Sequence, residues 1–148
     1  MDIEDLLRSL NAHKVDYVII GATAFPPHGY ARATLDIDLF IRPEPQNVSR
    51  VLDALRNFGY DLTDITLEDL LTKKILIRQY LVETDIHPFV SGVTFDQVWG
   101  NKISGTFGKE KVYYASLNDI ILMKEAAGRP KDLEDLRVLK ILKKKNNS

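Results

Sequence analysis

Apolar side chains fall along this chain with two different periods. Ile3, Leu6, Leu7 and Leu10 recur at helical spacing, and Asp2, Glu4 and Asp5 sit where a helix N-terminus favours negative charge. Residues 2–13 are therefore read as a helix. Val15 to Ile20 is instead an unbroken β-branched and aromatic run, the pattern of a strand buried on both faces. Gly21-Ala22 breaks that run. Thr23-Ala24-Phe25 starts a short helix whose length Pro26-Pro27 and Gly29 limit. From Asp36 to Ile41 the period is two: Leu35, Ile37 and Leu39 point to one face, Asp36 and Asp38 to the other.

Helical spacing returns after Pro43 and Pro45. Val48, Val51, Leu52, Leu55 and Phe58 form one stripe over about 45–58, and Gly59 caps its end. Residues 66–71 read as a short helix. Ile75–Ile77 and Gln79–His87 are two strand segments, either a hairpin or one bent strand. In the second, Tyr80, Val82, Thr84 and Ile86 share a face, and Leu81, Glu83, Asp85 and His87 share the other. Phe95–Trp99 is a short helix or turn. Ile103–Phe107 and Lys111–Tyr114 are strands around Gly108. Ser116 caps a helix at 117–127 that Gly128 ends. Pro130 opens a last helix with Leu133, Leu136, Leu139, Ile141 and Leu142 as its apolar contacts. The expected fold is α+β, a small mixed sheet flanked by helices with a helix pair at the C-terminal end. With no repeat, linker or composition break, residues 1–148 are expected to form a single domain.

Composition narrows the chemistry. Twenty Lys and Arg against 21 Asp and Glu leave a formal charge of −1, so no global basic field advertises nucleic acid. Lys140, Lys143, Lys144 and Lys145 complement the last helix's dipole; a tail for RNA or an acidic partner is the alternative. Cysteine is absent, which excludes disulfides, zinc–thiolate sites and a thiol nucleophile. The first residues are acidic rather than an apolar signal run, and no apolar stretch approaches the roughly 20 residues needed to span a bilayer. A soluble, cytoplasmic protein is the expectation, with no membrane partner.

Candidate chemistry centres on Asp36 and Asp38. Two carboxylates about 5–7 Å apart on one strand face repel unless a cation lies between them. Mg²⁺ (or Mn²⁺) suits carboxylate and phosphate oxygens. Asp85 lies on a later strand. If the two strands are neighbours, three carboxylates converge on one sheet edge, an arrangement that suits two divalent ions acting on a triphosphate. The small pair Gly21-Ala22 lets backbone N–H groups approach phosphate, and Arg32 and Thr34 flank the acids as phosphate contacts or braces. The blander reading makes Asp36 and Asp38 solvated surface acids. His28 and His87 could be metal ligands, but they match no zinc spacing and read as loop or sheet-surface residues; Trp99, Tyr113 and Tyr114 read as packing rather than base-stacking groups.

Tyr17–Phe25 followed by Asp36-Ile-Asp38 resembles the signature of the polymerase-beta-like nucleotidyltransferase superfamily: an apolar strand, two small residues, a short helix, then Asp-x-Asp. More narrowly, Gly21-Ala22-x-Ala24 through His28-Gly29-x-x-Arg32-x-Thr34-x-Asp36-Ile-Asp38-Leu is similar to the small bacterial and archaeal members, including the toxins of toxin–antitoxin pairs. Ser116 to Leu136, with Lys124, Gly128-Arg129, Lys131-Asp132 and Asp135, resembles their helical segment. The resemblance implies Asp36, Asp38 and Asp85 as metal ligands and catalytic acids, with Asp85 the base. It implies Gly21 and Ala22 along the triphosphate, and Lys124, Arg129 and Lys131 as substrate-binding groups. An ion-pair network joining two helices is the alternative for Arg129, Lys131, Asp132 and Asp135. Ala22 departs from the pattern, which has glycine or serine there, and it has no hydroxyl for phosphate. The implied activity is metal-dependent transfer of a nucleoside monophosphate from a nucleoside triphosphate to a hydroxyl on a small molecule, protein or RNA. The alternatives are a toxin–antitoxin component that modifies tRNA or a partner protein, with a cognate antitoxin or a second copy as partner, and a nucleotide-binding protein that has lost turnover.

Overall fold

The computed structural model describes residues 2–31 and 36–146. Arg32, Thr34 and Leu35 lie outside the described residues. Among the described residues six α-helices and six strands follow one another as α1 (Ile3–Ala12), β1 (Tyr17–Ile20), β2 (Asp36–Ile41), α2 (Pro45–Phe58), α3 (Leu67–Thr72), β3 (Ile75–Ile77), β4 (Glu83–His87), α4 (Phe95–Asn101), β5 (Ile103–Phe107), β6 (Glu110–Tyr114), α5 (Leu117–Ala127) and α6 (Leu133–Asn146). The helix boundaries follow their caps. Asp2 and Asp5 close a reciprocal capping box on α1, Thr66 and Asp69 do the same on α3, and Ser116 accepts from the Asp119 N–H to start α5.

The strands form one mixed sheet in the order β3-β4-β2-β1-β6-β5. β2 runs antiparallel to β1 and parallel to β4; β1 runs parallel to β6. The acid-bearing strand is therefore interior. The three aspartates lie on a sheet face and not, as expected, on a sheet edge. Ile37, Leu39 and Ile41 on its opposite face are fully buried and share one core with Leu6 and Leu10 of α1 and Val51 and Leu55 of α2. Each such side chain contributes about 1.5–3 kcal/mol. On the acid face, Phe40 is also buried, edge-on to Phe95 of α4 at 5.3 Å. The acid face is thus open at Asp36 and Asp38 and closed two residues later.

Three expectations change. The short helix after β1 is two 3₁₀ turns, Gly21–Ala24 and Pro26–His28, because the paired prolines remove the donors an α-helix needs. Ile75–Ile77 and the later segment form an antiparallel hairpin, with Ile75 opposite Ile86 and Ile77 opposite Thr84. Residues 79–82 leave the ladder. Gln79 exchanges two hydrogen bonds with the Asp61 backbone, Tyr80 donates to the Gly59 carbonyl, and Tyr80 takes a φ of 61°. Pro130 opens a 3₁₀ turn, Pro130–Asp132, that leads into α6. No helix among the described residues is long and apolar enough to cross a membrane.

Candidate active site

Register builds the site. Asp38 stands opposite Ile20 on one side and Asp85 on the other, so the end of β1, the middle of β2 and the middle of β4 meet at one point. The chain turns immediately after Ile20, at Gly21. A Cβ placed on Gly21 would lie 2.5 Å from Asp38 Oδ2 and 3.1 Å from its Cγ, and Gly21 has a φ of +72°. Only glycine meets both conditions without strain. Thr23 fixes the turn by donating to the Asp36 carbonyl at 2.9 Å. Ala22, which replaces the expected glycine or serine, is partly buried against the core.

Around this point lies a cleft of about 730 Å³. Gly21, Ala22, Asp36, Asp38, Asp85, Lys124, Arg129 and Lys131 all line it, so every described residue expected at the site reaches it. His87 lines it too, as do Lys74, Arg78 and Phe89, whose place in the chain carries no site signal. The loop after β4 closes one wall. Gly92, at φ +90°, passes so near α5 that a Cβ there would lie 2.8 Å from the Ala126 Cβ.

The carboxylates have different surroundings. Asp38 Oδ1 is 2.8 Å from His87 Nε2. Asp85 accepts a hydrogen bond from Arg78 at 2.7 Å, with Lys74 at 3.9 Å. That hydrogen bond holds Arg78 more firmly protonated than usual. Asp36 stands opposite Glu83 in the ladder, and hydrogen bonding to Asp36, then its negative charge, raises Glu83 above the ordinary carboxylate range. Asp38, Asp85 and His87 each offer one ligand atom, all within 4.8 Å of one another. That span is close to twice a metal–ligand bond of about 2.1–2.3 Å. Two carboxylates and an imidazole form a donor set that fits a divalent cation, and Gly21 lets the backbone pass directly against Asp38.

His87 lies on a sheet face, as expected, but that face lines the cleft and sets it beside Asp38. It shares a β4 face with Asp85, a fact legible in the alternation. Its other partner, Asp38, comes from a neighbouring strand, so no spacing along the chain announces the pair. His28 bonds instead to the Ala115 carbonyl at 2.8 Å. Trp99 packs between Phe95 and Tyr113, with Lys102 over its ring at 4.0 Å, and Tyr114 donates to the Thr106 carbonyl.

The opposite wall carries an ion-pair network. Asp132, buried, takes Arg129 at 2.7 Å and Lys124 at 2.9 Å. Lys124 also reaches Asp135 at 3.3 Å, and Tyr30 donates to Asp135. The hydrogen bond from Arg129, with further help from Lys124 against desolvation, holds the Asp132 carboxyl down at about 2. Asp132 and Asp135 are thus the link between the two terminal helices. Arg129 remains half-exposed, within the field of Asp38, and Lys131 lines the cleft with no ion pair among the described residues.

A mixed six-stranded sheet flanked by helices, with paired acids at an interior strand and a C-terminal helix pair, defines a nucleotidyltransferase-like fold. Residues 1–146 match the family described as "Nucleotidyltransferase of unknown function (DUF6036)", and the chain belongs to that family. It is accordingly a nucleotidyltransferase. No curated protein matches the chain.

Proposed function

We propose that this enzyme, folded as a single polymerase-beta-like unit, binds a nucleoside triphosphate with Mg²⁺ or Mn²⁺ in the cleft and transfers the nucleoside monophosphate to a hydroxyl acceptor. The observation that carries the reading is the in-register pair Asp38–Asp85, set against the Cβ-free turn at Gly21. Asp38 and Asp85 hold the cation, and Asp36 on the same face adds negative charge for a second one. The bound cation supplies charge neutralisation on the triphosphate and acidity for the attacking hydroxyl. The acceptor oxygen bonds to the α-phosphorus, the bond from that phosphorus to the bridging oxygen breaks, and pyrophosphate leaves with the electron pair. Asp85 takes the hydroxyl proton. Lys131 and the half-exposed Arg129 face the phosphates, and Lys124 holds the turn that presents them. Arg32 and Thr34 belong to the same reading as flanking phosphate contacts. The acceptor is a hydroxyl of a small molecule, a protein or an RNA, and a cognate partner or second copy is the source of selection that the small cleft leaves open.

Calorimetry tests the site. Triphosphate binding is expected only with Mg²⁺ or Mn²⁺ present, and is expected to be lost in the Asp36→Ala/Asp38→Ala double variant. Equal binding by both proteins, or by neither, contradicts the metal site. Incubation with labelled triphosphates and cell extract then identifies the acceptor by its label.

A further inference from the structure

Three carboxylates on a nucleotidyltransferase sheet would make an all-oxygen cation site. The geometry here differs. Asp36 is on the same face as Asp38, yet the ligand atoms that gather within 4.8 Å are those of Asp38, Asp85 and His87. Two features of the fold enforce this. β4 alternates, so Asp85 and His87 project from one face two residues apart. The parallel register then sets Asp38 opposite Asp85 and places His87 two pairs further along, opposite Phe40. Phe40 is buried and closed over by Phe95, so His87 has apolar packing beyond it and carboxylates before it. Its side chain is 14% exposed, which marks a fixed donor rather than a free surface ring.

We propose that His87 is a cation ligand, making with Asp38 and Asp85 a mixed nitrogen–oxygen site that prefers Mn²⁺ and other first-row transition ions to Mg²⁺. This rests on the proposed nucleotidyl-transfer reading and names the ion class of the same site. Mg²⁺ favours oxygen donors and gains little from an imidazole, whereas first-row transition ions take imidazole nitrogen readily. His87 Nε2 and Asp38 Oδ1 lie 2.8 Å apart; on cation binding any proton between them leaves to solvent or to Nδ1, and both atoms turn to the cation. A bare positioning role, in which His87 keeps that hydrogen bond and only orients Asp38, is the competing arrangement.

Pulsed electron paramagnetic resonance on the full chain loaded with Mn²⁺ alone separates them. A ligated imidazole imposes ¹⁴N modulation on the Mn²⁺ signal. The expected result is strong ¹⁴N modulation in the wild type and its absence in His87→Gln. Calorimetry is expected to show Mn²⁺ affinity falling about tenfold or more in His87→Gln, with Mg²⁺ affinity changed less than about twofold. Bound Mn²⁺ without ¹⁴N modulation in the wild type overturns the proposal and leaves the nucleotidyl-transfer reading standing. So does modulation that survives in His87→Gln, since it then comes from His13 or His28. Failure of Mn²⁺ to bind, with or without a triphosphate, overturns both.

Discussion

At Gly21 a single hydrogen in place of a methyl decides whether the site exists. The φ of +72° already disfavours any side chain, and the Asp38 carboxylate fills the space where a Cβ would stand. Gly21→Ala is expected to cost about 1–3 kcal/mol in urea unfolding and to weaken cation-dependent triphosphate binding at least about tenfold by calorimetry. Gly100 provides the contrast. It lies inside α4 with nothing within 4 Å of its Cβ position, so Gly100→Ala is expected to stabilise by about 0.5–1 kcal/mol and leave binding unchanged. Only their neighbours in the chain tell the two glycines apart. Gly21 was legible because a strand precedes it and Asp-x-Asp comes soon after. His87 was half legible. Alternation set it beside Asp85, but only the parallel pairing of β4 with β2 sets it beside Asp38. Arg78 and Lys74 carried no local signal, since they reach Asp85 through the β3–β4 hairpin.

Among the elements, the turn between α5 and α6 shows how charge fixes a wall. Asp132 is buried, and its carboxylate stays ionised because Arg129 and Lys124 both bond to it. Its depressed value, about 2 against an ordinary 3.8, is worth about 2 kcal/mol of stability. A carboxyl depressed on folding stabilises fully above its unfolded value and loses that contribution as pH falls through the folded one. Asp132→Asn is therefore expected to cost about 2–3 kcal/mol in urea unfolding at pH 7, with the difference from wild type narrowing as pH falls from about 4 towards 2. Asp132→Asn is also expected to loosen Arg129 and Lys124 at the cleft. The elements were mostly readable because their ends carry explicit chemistry: Asp2, Ser116, Gly59 and Gly128 mark boundaries where the structure has them. Residues 79–82 misread as strand because Tyr80-Leu81-Val82 is an aromatic and apolar run leading into β4, while the forces that remove them are tertiary: Gln79 to Asp61 and Tyr80 to Gly59, from a segment some 20 residues earlier. Local pattern holds no record of those bonds.

For the molecule as a whole, the cleft balances its charges before any ligand enters. Among the described residues five carboxylates line it, Asp36, Asp38, Asp85, Asp132 and Asp135, against five cations, Lys74, Arg78, Lys124, Arg129 and Lys131. The balance is internal to the cleft, which is why a net charge of −1 carried no sign of it. Arg78 bonds to Asp85, and His87 lies 2.8 Å from Asp38, the two acids that the proposed cation would take. On the proposed reading, cation binding displaces these contacts and frees Arg78 to face the triphosphate. Cation and triphosphate are thus expected to bind more strongly together than separately, each supplying the charge the other's partners lose. They also couple three parts of the chain that no short stretch joins: the β1 turn, the β2–β4 pair and the α5–α6 turn. Ligand that binds only the folded state raises stability by about 2.7 kcal/mol at one hundred times its Kd. For a chain of 148 residues that is an expected rise of about 5–10 °C in Tm. Differential scanning calorimetry should show the rise with Mn²⁺ and triphosphate together, a smaller rise with Mn²⁺ alone, and none with either in Asp38→Asn. A full rise with triphosphate alone, or an undiminished one in Asp38→Asn, would place the binding on the cationic wall and remove the acid face from the site.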